Sequence, residues 1–147
     1  MKKQYAILLW ITTFLIFSVA ITFAGEKIKV VVNNELVEAG EDLGASLVLN
    51  GTGTYDVYAA VTGGALGNDL YMFTSTGGLI PLGDTMPKLR ENLNIGTLST
   101  KDSIISLLPK MVLGGVSLNG IYTFYVALCT PGQLDFTDLD FISVTIQ

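Results

Sequence analysis

The sequence predicts an all-β domain built as an antiparallel β-sandwich, and three observations carry that prediction. Short stretches alternate apolar and polar residues with a period of two, glycine-rich turns separate them, and almost nothing signals a helix. A chain of 147 residues can bury one such core without disulfide staples.

The elements follow in order. Lys2 and Lys3 precede an apolar run from Tyr5 to Ala24, which ends in the small residues of "AITFAGE". That order reads as a secretory signal peptide over residues 1–24, with Thr22 and Ala24 at the −3 and −1 positions of a cut before Gly25. Left uncut, the run is long enough to serve as a membrane anchor instead. The domain is then residues 25–147.

"KIKVVVN" (27–33) sets Ile28, Val30 and Val32 against Lys27 and Lys29, the pattern of a half-buried strand. "SLVLN" follows the acidic turn "EAGEDLG". Asn50-Gly51 then reads as a type I′ hairpin turn, because both central residues of that turn need positive φ; with Thr52 it also matches a glycosylation sequon. In "TYDVYAAVT", Tyr55, Val57, Ala59 and Val61 face the core, and Asp56, Tyr58, Ala60 and Thr62 face away. "DLYMFT" reads as a strand after the loop "GGALGN". Residues 79–118 are irregular, with one helical turn at most, in "STKDSIISLL", where Ser99 or Thr100 would cap it. From 121 to 129, Tyr122, Phe124, Val126 and Leu128 point inward, while Ile121, Thr123, Tyr125, Ala127 and Cys129 point outward. "FISVTIQ" closes the chain with Ile142, Val144 and Ile146 inward.

At "LNGIYTFYVAL" the chain resembles immunoglobulin-like sandwiches, in which a tyrosine at this point hydrogen-bonds back to upstream backbone. The resemblance implies that Tyr122 is that tyrosine. Phe124 stands where an antibody domain has its second cysteine, with Val48 or Leu47 facing it from the opposite sheet. More narrowly, "VEAGEDLGASLVLNG", "YDVYAAV" and "NGIYTFYVALCTPGQLDFTDLDFISVTI" resemble the immunoglobulin-like modules of secreted bacterial proteins. The resemblance implies an immunoglobulin-like fold, export and a bacterial source, with no defined activity.

Composition narrows the function. The chain carries 13 acidic and 8 basic residues, a formal charge of −5, and loss of Lys2 and Lys3 would make it more acidic. Such a surface repels phosphate backbones, so nucleic acid is not an expected partner. There is no histidine, which excludes serine triads, Cys-His pairs and histidine-bearing zinc sites. No catalytic residue and no cofactor are therefore expected. Asp135, Asp138 and Asp140 in "QLDFTDLDF" form the densest acidic group, a weak candidate for calcium set against turn-fixing aspartates. Cys129, the only cysteine, is either a buried thiol or an intermolecular bridge.

The feature that points to function is the outward sheet face. Tyr58, Tyr125, Thr123, Ser143 and Thr145, with Ala60 and Ala127, would share a flat aromatic surface on which only Asp56 is charged. It suits contact with a protein or surface polymer, or stacking on sugar rings. Residues 79–118 could instead fold over it and complete a second core, and the sequence leaves both open. The leading expectation is an exported, non-enzymatic module, secreted or at the cell surface or in the periplasm, serving architecture, adhesion or assembly. A carbohydrate-binding module and a subunit of a self-associating surface fibre are the alternatives. The membrane would enter only through an uncleaved residue 1–24 segment.

Overall fold

The computed structural model describes residues 27–112 and 118–147; the expected leader, residues 1–24, and residues 113–117 of the irregular segment lie outside them. Among the described residues the chain runs through β1 (Ile28–Val32), β2 (Leu36–Val37), β3 (Asp42–Leu49), β4 (Thr54–Gly63), β5 (Tyr71–Phe73), β6 (Leu79–Pro81), β7 (Arg90–Asn94), β8 (Ile104–Val112), β9 (Gly120–Cys129) and β10 (Asp138–Ile146). Two short 3-10 turns, Gly64–Leu66 and Ile95–Thr97, lie among these residues. No helix among these residues is long and apolar enough to cross a membrane.

The strands form two sheets. The smaller has the order β1-β3-β8; the larger has the order β2-β10-β9-β4-β5-β6, with β7 also paired to β4. Neighbours are antiparallel except β2 and β10, which run parallel. The inward residues of both sheets share one core, in which Ile28, Val30, Leu47 and Ile105 meet Val57, Phe124, Leu128 and Val144. This is a sandwich-like arrangement. Each such side chain stabilises the fold by about 1.5–3 kcal/mol on burial. Of the two residues expected to face Phe124, Leu47 lies in the core and Val48 does not. Phe124 stacks on Phe73 at 6.4 Å between ring centres.

Tyr122 makes the expected bond. Its hydroxyl donates to the Leu118 carbonyl at 2.9 Å and accepts the Ala65 N–H at 3.0 Å. The ring is held close to the backbone of the β4–β5 connection, where a Cβ on Gly64 would lie 2.1 Å from it. Gly64 also has a φ of 54°, so two constraints select glycine there.

Two sequence expectations are corrected. The segment 79–118 contains a long strand, β8, which pairs with β3 at the edge of the smaller sheet. Ser99 Oγ does accept the Asp102 N–H at 3.2 Å, but the chain leaves that turn extended. Ile105 and Leu107 alternate into the core, yet two register shifts opposite Leu43–Ser46 and Pro109 interrupt the pattern. Proline is tolerated because β8 is an edge strand. Asn50-Gly51, in turn, closes no hairpin, since β3 and β4 belong to different sheets. Gly51 has a φ of 90° but Asn50 keeps a negative one, so the type I′ turn does not form. The Asn50 N–H instead donates to the Lys27 carbonyl at 2.8 Å, tying the crossover to the start of β1.

Candidate functional site

The outward face of the larger sheet is in register where the sequence reading places it. Ala60, Tyr125 and Phe141 lie side by side on β4, β9 and β10, and so do Thr62, Thr123 and Ser143. The face is nonetheless divided in two. On one half, Tyr58, Ala60, Met72, Ala127 and Cys129 form a second buried cluster, with Leu82, Met86, Phe136 and Leu139 packed against it. Tyr58 is 5 % exposed. It is not the surface residue that its position in the alternation implied, because residues 82–86 and the loop after β9 cover it. Burial, with Cys129 and Asp56 nearby, pushes its hydroxyl pKa up.

Asp56, expected to be the one charge on the open face, is 0 % exposed and anchors that cover. Its carboxylate accepts the N–H of Asn92 at 2.9 Å and of Gly132 at 2.8 Å, and meets Lys88 Nζ at 2.9 Å. Asn92 adopts a φ of 49°, a conformation asparagine tolerates better than most residues. Burial pushes the Asp56 pKa up, but the two amides and the Lys88 ammonium outweigh it and hold the carboxyl below its ordinary value. Lys88 also pairs with Glu91 at 2.8 Å, and these carboxylates raise its pKa. One aspartate thus fastens two covering segments to β4.

The other half stays open. Phe141 is 52 % exposed and Ile121 61 %, both on the outward side of β10 and β9. Leu36 of β2, 50 % exposed, continues the row beside Thr145. Tyr125 is half-buried, with its ring 6.0 Å from that of Phe141 in a tilted pair, and burial raises its hydroxyl pKa. Thr123 and Ser143 hydrogen-bond to each other at 3.0 Å. No charged residue stands in these rows. Tyr125, Thr123, Ser143 and Thr145 lie where alternation puts them, and Phe141, absent from the expected face, joins them by the same parity that sends Ile142 inward. Between the halves lies an apolar hollow lined by Tyr58, Ala60, Met72, Met86, Tyr125 and Phe136. Its free room is about 10 Å³, of the order of a single water and far below the roughly 300–1,000 Å³ usual for ligand pockets.

The acidic triplet is spent on backbone. Asp138, buried, accepts the N–H groups of Lys27 and Ile28, and Asp140 accepts that of Val30 at 2.8 Å. The Ile28 and Val30 amides belong to β1 of the smaller sheet, so two carboxylates of β10 bridge the seam between the sheets. Asp135 instead holds the Thr130 N–H at 2.8 Å and the Thr130 hydroxyl; its pKa is lowered chiefly by that hydroxyl. Among the described residues no group of three His, Cys, Asp or Glu side chains is placed to hold a metal ion. Cys129 is a free, buried thiol whose pKa burial pushes up to about 11.

No protein-family model matches the chain, and no curated protein matches it either.

Proposed function

We propose that this chain is an exported, non-enzymatic immunoglobulin-like module that acts by protein contact in cell-surface architecture, adhesion or assembly. The observation that carries the reading is the uncharged open half of the larger sheet, where Phe141, Ile121 and Leu36 are exposed beside Tyr125. Protein interfaces are depleted of charge and enriched in aromatic residues at their centres; among the described residues the other exposed large apolar side chains, Val31, Leu79, Ile80, Ile104 and Leu134, are all aliphatic. The immunoglobulin-like assignment is supported by the strand order, by a first strand that gives way to β2 on the opposite sheet, and by the Tyr122 hydroxyl bond to backbone four residues upstream. Export is supported by the order of charge, apolar run and small residues in 1–24. The non-enzymatic part is supported by the lack of histidine and by carboxylates already engaged with amides.

The tilted Tyr125–Phe141 pair supports a second reading, a sugar-stacking platform. Protein contact is favoured over it because Ile121 and Leu36 give a sugar ring no planar surface, and the nearest hydroxyls, Thr123 and Ser143, bond each other. A photo-crosslinker placed at position 141 in the producing cell should give covalent protein adducts, and one at the exposed Ile104 of the smaller sheet should not. Absence of adducts at 141 would sink the reading.

A further inference from the structure

We propose that Asn50 is a site of spontaneous modification, at which the side chain closes on the nitrogen of Gly51, loses ammonia and takes up water to become aspartate or isoaspartate. The reaction asks three things of a fold: an exposed carboxamide, a following amide nitrogen free to turn onto it, and a following residue with no side chain in the way. The chain contains two Asn-Gly pairs, Asn50-Gly51 and Asn119-Gly120, and the fold separates them.

Asn50, Gly51 and Thr52 are all exposed. They lie in the crossover from β3 to β4, strands of different sheets, so Gly51 takes no part in a strand ladder. The Gly51 N–H donates to the side-chain oxygen of Asn50 itself at 2.8 Å. A carbonyl bond is about 1.23 Å long, which puts the Gly51 nitrogen within about 4.0 Å of Asn50 Cγ. Gly51 has a φ of 90°, and beyond its chain neighbours the nearest atom to an added Cβ is Lys27 Cγ at 3.7 Å. The bond from the Asn50 N–H to the Lys27 carbonyl leaves the attacking nitrogen untouched.

Asn119 is exposed too, but its backbone is held on both sides. The Tyr122 hydroxyl binds the Leu118 carbonyl at 2.9 Å. Gly120 stands opposite Ile146 in the larger sheet, and a Cβ there would lie 2.7 Å from Gly64 Cα. Turning the Gly120 nitrogen onto the Asn119 side chain disturbs the first rung between β9 and β10, so it requires local opening of the sheet.

The atoms balance with water alone. The Gly51 nitrogen gives its proton to solvent and attacks Cγ, forming a C–N bond; the Cγ–Nδ2 bond breaks, and Nδ2 takes up a proton and leaves as ammonia. Water then opens the cyclic imide. Opening at Cγ yields aspartate, and opening at the backbone carbonyl yields isoaspartate, whose main chain runs through the former side chain. Either product adds a negative charge to an acidic chain and sets it beside Lys27. Isoaspartate also lengthens the crossover that is tied to the start of β1.

The purified native protein, held at mildly alkaline pH and peptide-mapped by mass spectrometry, should convert at Asn50 at least about tenfold faster than at Asn119, a barrier difference of roughly 1.4 kcal/mol. In urea the two rates should converge, because only the fold separates the pairs. In water labelled with heavy oxygen the product should carry the label, and a protein isoaspartyl methyltransferase should methylate part of it. Asn50→Ser, which removes an exposed side chain, should suppress the acidic species that accumulates on ion exchange. Equal native rates at the two pairs, an Asn50 left intact under native conditions that convert it in urea, product without the label, or an undiminished acidic species in the variant would each overturn the proposal.

Discussion

Tyr58 and Tyr125 sit on neighbouring strands of one sheet and point to the same side of it, yet one is buried and the other lies at the margin of an open surface. Alternation decides only which side of a strand a residue occupies. What covers that side is decided elsewhere, here by Asp56, which reaches out to Lys88, Asn92 and Gly132 and holds two loops over the Tyr58 half. Among the described residues the Tyr125 half has no such anchor, and Phe141 and Ile121 stay exposed there. The comparison teaches that a pair of similar residues can be divided between stability and contact by a single buried carboxylate.

The largest effect should come from removing that carboxylate. Asp56→Ala leaves two amides and an ammonium without their acceptor and should cost about 4 kcal/mol, read as a drop in urea midpoint. Because the folded-state pKa of Asp56 lies below its ordinary 3.8, its contribution is present above that pH and is lost as pH falls through the folded value. The variant should therefore lose less stability on acidification than the parent. A variant as stable as the parent would mean that the cover is held by other contacts.

Tyr58→Ser should follow, at about 3 kcal/mol, because it empties the centre of the second buried cluster. If that substitution proves harmless, the cover is loose and the two halves differ less than their burial implies.

Next comes alkali. The Cys129 thiol is held protonated from its ordinary 9.0 up to about 11, so its contribution is complete below pH 9 and disappears as pH rises through 11. Over that interval the parent should lose about 2 kcal/mol more than Cys129→Ala, with ionisation of Tyr58 adding a loss common to both. Equal slopes for the two proteins would argue that the thiol is accessible in the native state.

The smallest stability effect belongs to the open half. Phe141→Ser should change the denaturation midpoint by less than about 0.5 kcal/mol. A loss comparable to that of Tyr58→Ser would erase the distinction between the halves.

Much of the fold was legible because the inward residues of β1, β4, β9 and β10 alternate in sequence, whereas the run Leu47-Val48-Leu49 left the inward residue of β3 open; the Tyr122 bond was implied by the resemblance. The hidden parts were non-local. β8 carried the right residues at Ile105 and Leu107, but its register shifts and Pro109 broke the period, and the Ser99 cap imitated a helix start. Asn50-Gly51 had the chemistry of a hairpin turn, yet whether two strands pair depends on which sheet each joins. At the site, Tyr125, Thr123 and Ser143 were readable from parity alone, whereas the burial of Tyr58 depends on contacts with Leu82, Met86 and Phe136, distant in sequence.

The two carboxylates in the seam, Asp138 and Asp140, give the domain a particular mechanical wiring. A pull entering the chain at Lys27 is met by Asp138 of the last strand as well as by Asn50 of the crossover, so polar bonds take it up before the hydrophobic interior does. Val30 and Asp140 provide a second rung on the same ladder. Tension can thus pass from the beginning of β1 to β10 through two carboxylates.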